Sequence, residues 1–140
     1  MKKALKVHSI LAVAIMLSAC TSAAPHAERW RVRVVGTDGR FVGGLILELT
    51  SEPSSKSCVS IPDTVVARIV ERQGFADDHV RDEAAVHLKD GELYADLSVG
   101  MCDHTLTIGG IVHGRRAVGE VRRSTLIGAI KVGTFIAEKQ

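Results

Sequence analysis

The chain has 140 residues, enough for one domain and one hydrophobic core, and no internal repeat or second block of composition divides it. Its 18 basic and 16 acidic residues give a formal charge of +2. Three of the bases, Lys2, Lys3 and Lys6, stand at the very start with no acid among them, so the excess belongs to one end and is no argument for nucleic-acid binding; no nucleic-acid partner is expected.

That end has its own logic. After the three lysines, residues 10–19 are almost wholly apolar and end in small residues at "LSAC". A basic start, a short apolar core and small residues before a cut are the parts of an export signal. The apolar run is far shorter than the roughly 20 residues that a membrane-crossing helix needs. Leu17, Ser18, Ala19 and Cys20 resemble the lipobox of bacterial lipoproteins. The resemblance implies cleavage after residue 19 and attachment of acyl chains to Cys20. At about 0.8 kcal/mol per buried CH₂, more than one chain anchors a protein stably to a bilayer. Thr21 stands where an aspartate would imply inner-membrane retention, so the implied address is the outer membrane, facing the periplasm. Residues 20–28 then read as the lipidated cysteine and a small, polar, proline-containing tether. Removing Lys2, Lys3 and Lys6 leaves 15 bases against 16 acids, a formal charge of −1.

Residues 29–140 read as a single all-β domain. "WRVRVV" alternates, with Trp30, Val32 and Val34 on one face and Arg31 and Arg33 on the other. Asp38 and Gly39 make a hairpin signal. "FVGGLILELT" resumes the alternation with Leu45, Leu47 and Leu49. "SEPSSKSCVSIPD" is loop by composition, and "TVVARIVE" is β-branched strand. "RQGFADDHVRDE" has room for a helical turn. "AAVHL" and "LYADLSV" flank a second hairpin signal, Asp90 and Gly91. "HTLTIGGIVH", "RAVGEVRR" and "IKVGTFIAE" complete about eight short strands. Short hairpin links predict an up-and-down barrel, which leaves no exposed sheet edge, with a β-sandwich as the alternative. The inward set Leu45, Leu47, Leu49, Leu93, Leu97, Leu106 and Ile108 either fills the barrel or lines a cavity.

Cys58 and Cys102 remain as an even pair in an oxidising compartment, which predicts a disulfide. "LTSEPSSKSCVS", "CDHTLTIGG" and "STLIGAIKVGTF" resemble a group of poorly characterised bacterial envelope proteins with a small lipocalin-like barrel. The resemblance implies that fold and brings no catalytic residues.

A search for chemistry returns little. Asp103 and His104 are adjacent, so on a strand they point to opposite faces and make no acid–base pair. Asp77, Asp78, His79, Asp82 and Glu83 form an acidic loop without the spacing of a calcium site. His87 and His113 stand alone in strand patterns, and no metal-hydrolase, nucleophile-elbow or phosphate-loop motif occurs. No cofactor, no metal and no enzymatic activity is expected. The basic residues are more informative. Arg31 and Arg33 share a strand face, while Arg115, Arg116, Arg122 and Arg123 cluster late in the chain. First and last strands are neighbours in a closed barrel, so these six could merge into one patch for an anionic partner, although a solvated outer face balanced by Glu28, Glu48 and Glu120 is the favoured reading. The resulting expectation is a lipid-anchored, non-enzymatic binding module for an envelope protein or ligand, with an inhibitor or immunity protein as one form. Carriage of a small apolar molecule and a structural envelope role are the alternatives.

Overall fold

The computed structural model describes residues 27–75 and 79–140. The signal peptide 1–19, Cys20 and the tether through residue 26 therefore lie outside the described residues, as do Asp77 and Asp78 of the acidic loop.

Eight strands follow in order: β1 (Arg29–Gly36), β2 (Phe41–Pro53), β3 (Val65–Gln73), β4 (Glu83–Lys89), β5 (Glu92–Asp96), β6 (His104–His113), β7 (Arg116–Thr125) and β8 (Gly128–Lys139). Each pairs antiparallel with the next, and β8 pairs with β1, so the sheet closes into an up-and-down barrel. The closure excludes the two-sheet sandwich. No helix forms among the described residues, and "RQGF" continues β3 into a bend.

Alternation places the core. Trp30, Val32 and Val34 are buried inside the barrel, and Arg29, Arg31 and Arg33 between them are exposed. Leu45, Leu47, Leu93, Leu97, Leu106 and Ile108 are buried in the same cluster, and Leu49 packs against it. Phe135 and Trp30 are the largest fully buried side chains. Gly110 and Gly119, paired across β6 and β7, mark a tight bend: a Cβ on either would meet backbone at 2.1 Å.

The turns follow their residues. Asp90 and Gly91 both have positive φ, at 54° and 81°, as a two-residue type I′ hairpin requires. Residues 37–39 form a three-residue loop, closed by Gly36 N–H to Arg40 O, with Gly39 at φ 80°. Strand direction sorts the connections onto two rims. The terminal rim holds Ala27, Gln140, the Asp90 and Gly91 turn, and the Gly114 and Arg115 turn. The far rim holds loops 37–40, 97–103 and 126–127, together with residues 74–75 and 79–82.

One connection leaves the rim altogether. Residues 54–64, between β2 and β3, cross the outside of β4 and β5 as a strap. Lys89 pairs with Asp63 at 2.8 Å, His87 Nδ1 contacts Pro62 O, and Lys56 reaches Glu83. Cys58 is joined to Cys102 on the far-rim loop, with Cα atoms 5.1 Å apart. Under the strap lies Asp96, which points outward between inward-facing Ala95 and Leu97 yet is completely buried. Its carboxylate accepts from Ser57 Oγ, Cys58 N–H and Ser98 N–H. Three donors thus satisfy a side chain that would be costly to bury without hydrogen bonds.

Side chains meet the core at both rims. At the far rim Val80 joins the core and Phe75 packs on it, while Ser98 Oγ donates to His79 O and accepts from Leu106 N–H. At the terminal rim the Trp30 indole N–H donates to Glu28 Oε1 at 2.8 Å.

Candidate functional site

A concave surface lies on the outside of the barrel. A groove of about 570 Å³ runs over the outer face of β1, β2 and β3. Register builds it. Arg31 of β1 aligns with Ile46 of β2 and Glu71 of β3, and Arg33 with Gly44 and Gln73. Strand spacing sets the two walls about 10 Å apart. Arg31 and Arg33 form one wall, and Glu71 and Gln73 the other. The floor is Ile46, only 5 % exposed although it faces outward, and Gly44, whose missing side chain leaves the groove open. A Cβ at Gly44 would sit 3.3 Å from Val32 O and 3.9 Å from the Phe41 ring, close but without severe overlap. Phe41 closes one end, with the Arg33 guanidinium 5.2 Å from its ring centroid.

The guanidinia differ from their neighbour. Arg29 is spent in a two-point ion pair with Glu48. Neither Arg31 nor Arg33 forms an ion pair with a described residue. Arg31 reaches the Gln140 side-chain amide oxygen, 3.0 and 3.2 Å from Nη2 and Nε, in the amide orientation that satisfies both groups.

The six arginines that would merge into one patch separate into two groups. The β1–β8 seam brings Arg31 into the same outer row as Arg116, but Glu138 of β8 sits between them. Arg115 lies on the adjoining turn and donates to Lys139 O at 2.9 Å. Arg122 faces outward six residues up β7 from Arg116, roughly 20 Å away along the strand. It shares Glu120 with Lys131, and these two hydrogen-bonded cations hold the Glu120 carboxyl below the ordinary glutamate range. Arg123 pairs with inward-facing Leu106, so it points to the barrel side, where its Nε is buried without a partner among the described residues. Adjacent strand residues face opposite ways, which is why the two arginines cannot act on one surface.

The remaining candidates stay apart. His104 is exposed and its Nδ1 contacts the Asp103 backbone carbonyl, not a carboxylate. Cys102 is consumed by the disulfide. His87 is held by the strap, and His113 is exposed beside the β6–β7 turn. No cluster of three metal-ligating side chains occurs among the described residues. Sequence reasoning found Arg31 and Arg33 but missed Gly44, Phe41, Glu71 and Gln73. The signal was present in "VGGL", where alternation turns Gly43 inward and Gly44 outward.

Comparison with known proteins adds no relative: no family model matches the chain, and neither curated proteins nor solved structures give a match.

Proposed function

We propose that this is a lipid-anchored bacterial envelope protein whose barrel is a non-enzymatic binding module, and that an anionic ligand or partner group binds in the outer groove between β1 and β3. The observation that carries the reading is the groove itself: two arginines without carboxylate partners among the described residues, facing a glycine floor. Its volume of about 570 Å³ falls within the range of small-ligand sites. Paired guanidinia bind carboxylate and phosphate by forked hydrogen bonds, and Ile46 and Phe41 offer an apolar rest for the ligand body. Occupation of the interior by Trp30, Phe135 and the leucines favours outside binding over carriage of an apolar molecule. Asp103 and His104 assemble no acid–base pair, which favours binding over turnover.

The address rests on sequence. The lipobox "LSAC" supports acylation of Cys20, and Thr21 supports the outer membrane. The barrel is also the architecture of the small lipocalin-like envelope proteins that the chain resembles, some form of inhibitor or immunity protein being one role it suits.

Two experiments test this. Labelled fatty acid should enter the full chain and vanish in Cys20→Ala; labelling that persists sinks the anchor. For the groove, exported Cys20→Ser protein is compared by native mass spectrometry before and after incubation with envelope extract. A bound anionic species lost in both Arg33→Gln and Gly44→Val supports the site. An adduct retained in both places binding elsewhere.

A further inference from the structure

Exposed apolar residues gather on one side of the barrel. Of the nine large apolar side chains exposed among the described residues, Ile111, Val118, Leu126, Ile127, Ile130 and Ile136 belong to β6, β7, β8 and the turn that joins the last two. Register sets Ile111, Val118 and Ile136 side by side in one outward row. Leu126 and Ile127 form the turn between paired Thr125 and Gly128 and are 82 % and 98 % exposed. A two-residue hairpin turn favours Asn, Asp and Gly, as Asp90 and Gly91 show in the β4–β5 turn, so the turn itself does not call for these aliphatics. Scattered exposed aliphatics need no explanation, but six on one side do.

Charge follows the same side. Arg116, Arg122 and Lys131 point outward from β7 and β8 and Arg115 lies on the adjoining turn, against the carboxylates of Glu120 and Glu138. Cations therefore exceed acids there, although the mature chain as a whole is slightly acidic. Their depth matters as much as their sign. Arg122 pairs in register with Lys131 three residues behind the turn, roughly 10 Å from the tip. An interfacial segment sinks its apolar part about 5–10 Å into the boundary of headgroups and acyl chains. At that depth Leu126 and Ile127 meet acyl chains while Arg122 and Lys131 stand at the phosphates, their long stems along the apolar layer. The chain's own attachment emerges on this side too. β8 pairs with β1, with Lys139 opposite Trp30, so the chain leading from Cys20 enters the barrel beside β8. The seven steps from Cys20 to Ala27 span at most about 25 Å, and a barrel leaning on β7 and β8 brings tip and anchor to one surface.

We infer that the β7–β8 side is a second membrane contact, in which Leu126 and Ile127 insert among acyl chains and Arg122 and Lys131 meet anionic phospholipid headgroups. Apolar tip, cations one headgroup depth behind it and the neighbouring tether all fit one occupant, an anionic bilayer. The inference deepens the proposed anchoring and rests on that reading for the tether alone: the acylated cysteine holds the chain to the bilayer, and the tip sets how the barrel lies on it.

The test places the exported chain, as cells make it, in phosphatidylethanolamine–phosphatidylglycerol vesicles. Ile127→Trp is compared with Ser60→Trp, on the strap across the barrel, and buried Trp30 gives the common baseline. The expected result is a blue-shifted emission at position 127, quenched by lipids brominated in their acyl chains, with neither change at position 60. Equal behaviour of the two positions overturns the proposal. The second measurement uses exported Cys20→Ser, which has no acyl anchor. It should sediment with the same vesicles at least tenfold more strongly than its L126S/I127S form, and at least fivefold more weakly once phosphatidylcholine replaces phosphatidylglycerol. The double variant should melt like wild type, since both side chains are exposed. Equal sedimentation of the two forms overturns the proposal, as does benzoylphenylalanine at position 127 forming its adduct in cells with a protein and not with lipid. The two readings fail separately: if fatty-acid labelling of Cys20 fails, tip-dependent sedimentation of Cys20→Ser still sustains the contact, and if labelling succeeds without quenching at position 127, the anchor stands and the contact falls.

Discussion

The outer surface of this barrel has two unlike sides. Over β4 and β5 the chain covers itself. There the strap buries outward-facing Asp96 and Ala85 completely, and burial pushes the half-buried Tyr94 phenol up despite its hydrogen bond with Thr107. Over β1 to β3 nothing in the described chain covers the equivalent positions, and Arg33 and Gln73 stand apart across Gly44. The contrast separates a side that the chain seals with its own loop from a side that it leaves open. The Asp96 carboxylate on the strapped side is satisfied internally, whereas on the open side Arg31 meets the Gln140 amide and Arg33 the Phe41 ring, neither pairing with a carboxylate among the described residues.

The comparison breaks most severely at the disulfide. Cys58 and Cys102 are 44 residues apart, and in the chain-entropy model replacing both by serine costs about 4 kcal/mol. Urea unfolding should show that loss, and hydrogen exchange should rise in 54–64 while β1 and β2 keep their protection. Next is Asp96→Ala, which orphans Ser57 Oγ, Cys58 N–H and Ser98 N–H; about 3 kcal/mol is expected from the same unfolding measurement. A smaller effect belongs to Glu28. Burial works to raise its carboxyl, but hydrogen bonds from Trp30 and Lys139 and the Lys139 charge outweigh it and hold the pKa below the ordinary value. The stabilisation is thus fully present above the unfolded value of about 4.3 and is lost as pH falls through the lowered folded one. Glu28→Gln should cost about 1 kcal/mol at neutral pH and flatten the acid limb of a melting-temperature profile. Smallest is the open side: Arg31→Gln and Arg33→Gln should each change stability by less than about 0.5 kcal/mol while abolishing anion binding in the groove. A large stability loss there would erase the contrast.

Much of the barrel was legible because alternation reports which way a side chain points. Trp30, Val32 and Val34 inward, Arg31 and Arg33 outward, and the turn at Asp90 and Gly91 were all readable from local sequence. What alternation cannot report is what lies on top. Asp96 belongs to an outward row, and only the path of 54–64, a loop by composition, buries it. Val80 sits in an acidic stretch, and its place in the core is not marked by any alternation around it. The arginine patch was half legible. Sequence gave the β1–β8 neighbourhood, but the parity of Arg122 against Arg123 and the interposition of Glu138 depend on register. The groove needed three strands in register before a glycine became a floor.

The seam between β1 and β8 has a consequence for how the molecule comes into being. Its hydrogen bonds join Trp30 to Lys139 and Gln140 N–H to Arg29 O, the most distant pairing in the described chain. Until β8 has been synthesised, β1 and β7 each present an open edge, and no cylinder exists to protect them. Closure is therefore a late event with a large loop to overcome, which places the protein among slow, high-contact-order folders. A polypeptide threaded through a membrane as an extended strand and closed only after its last strand has crossed would keep this exposed stage out of the crowded compartment where it was made.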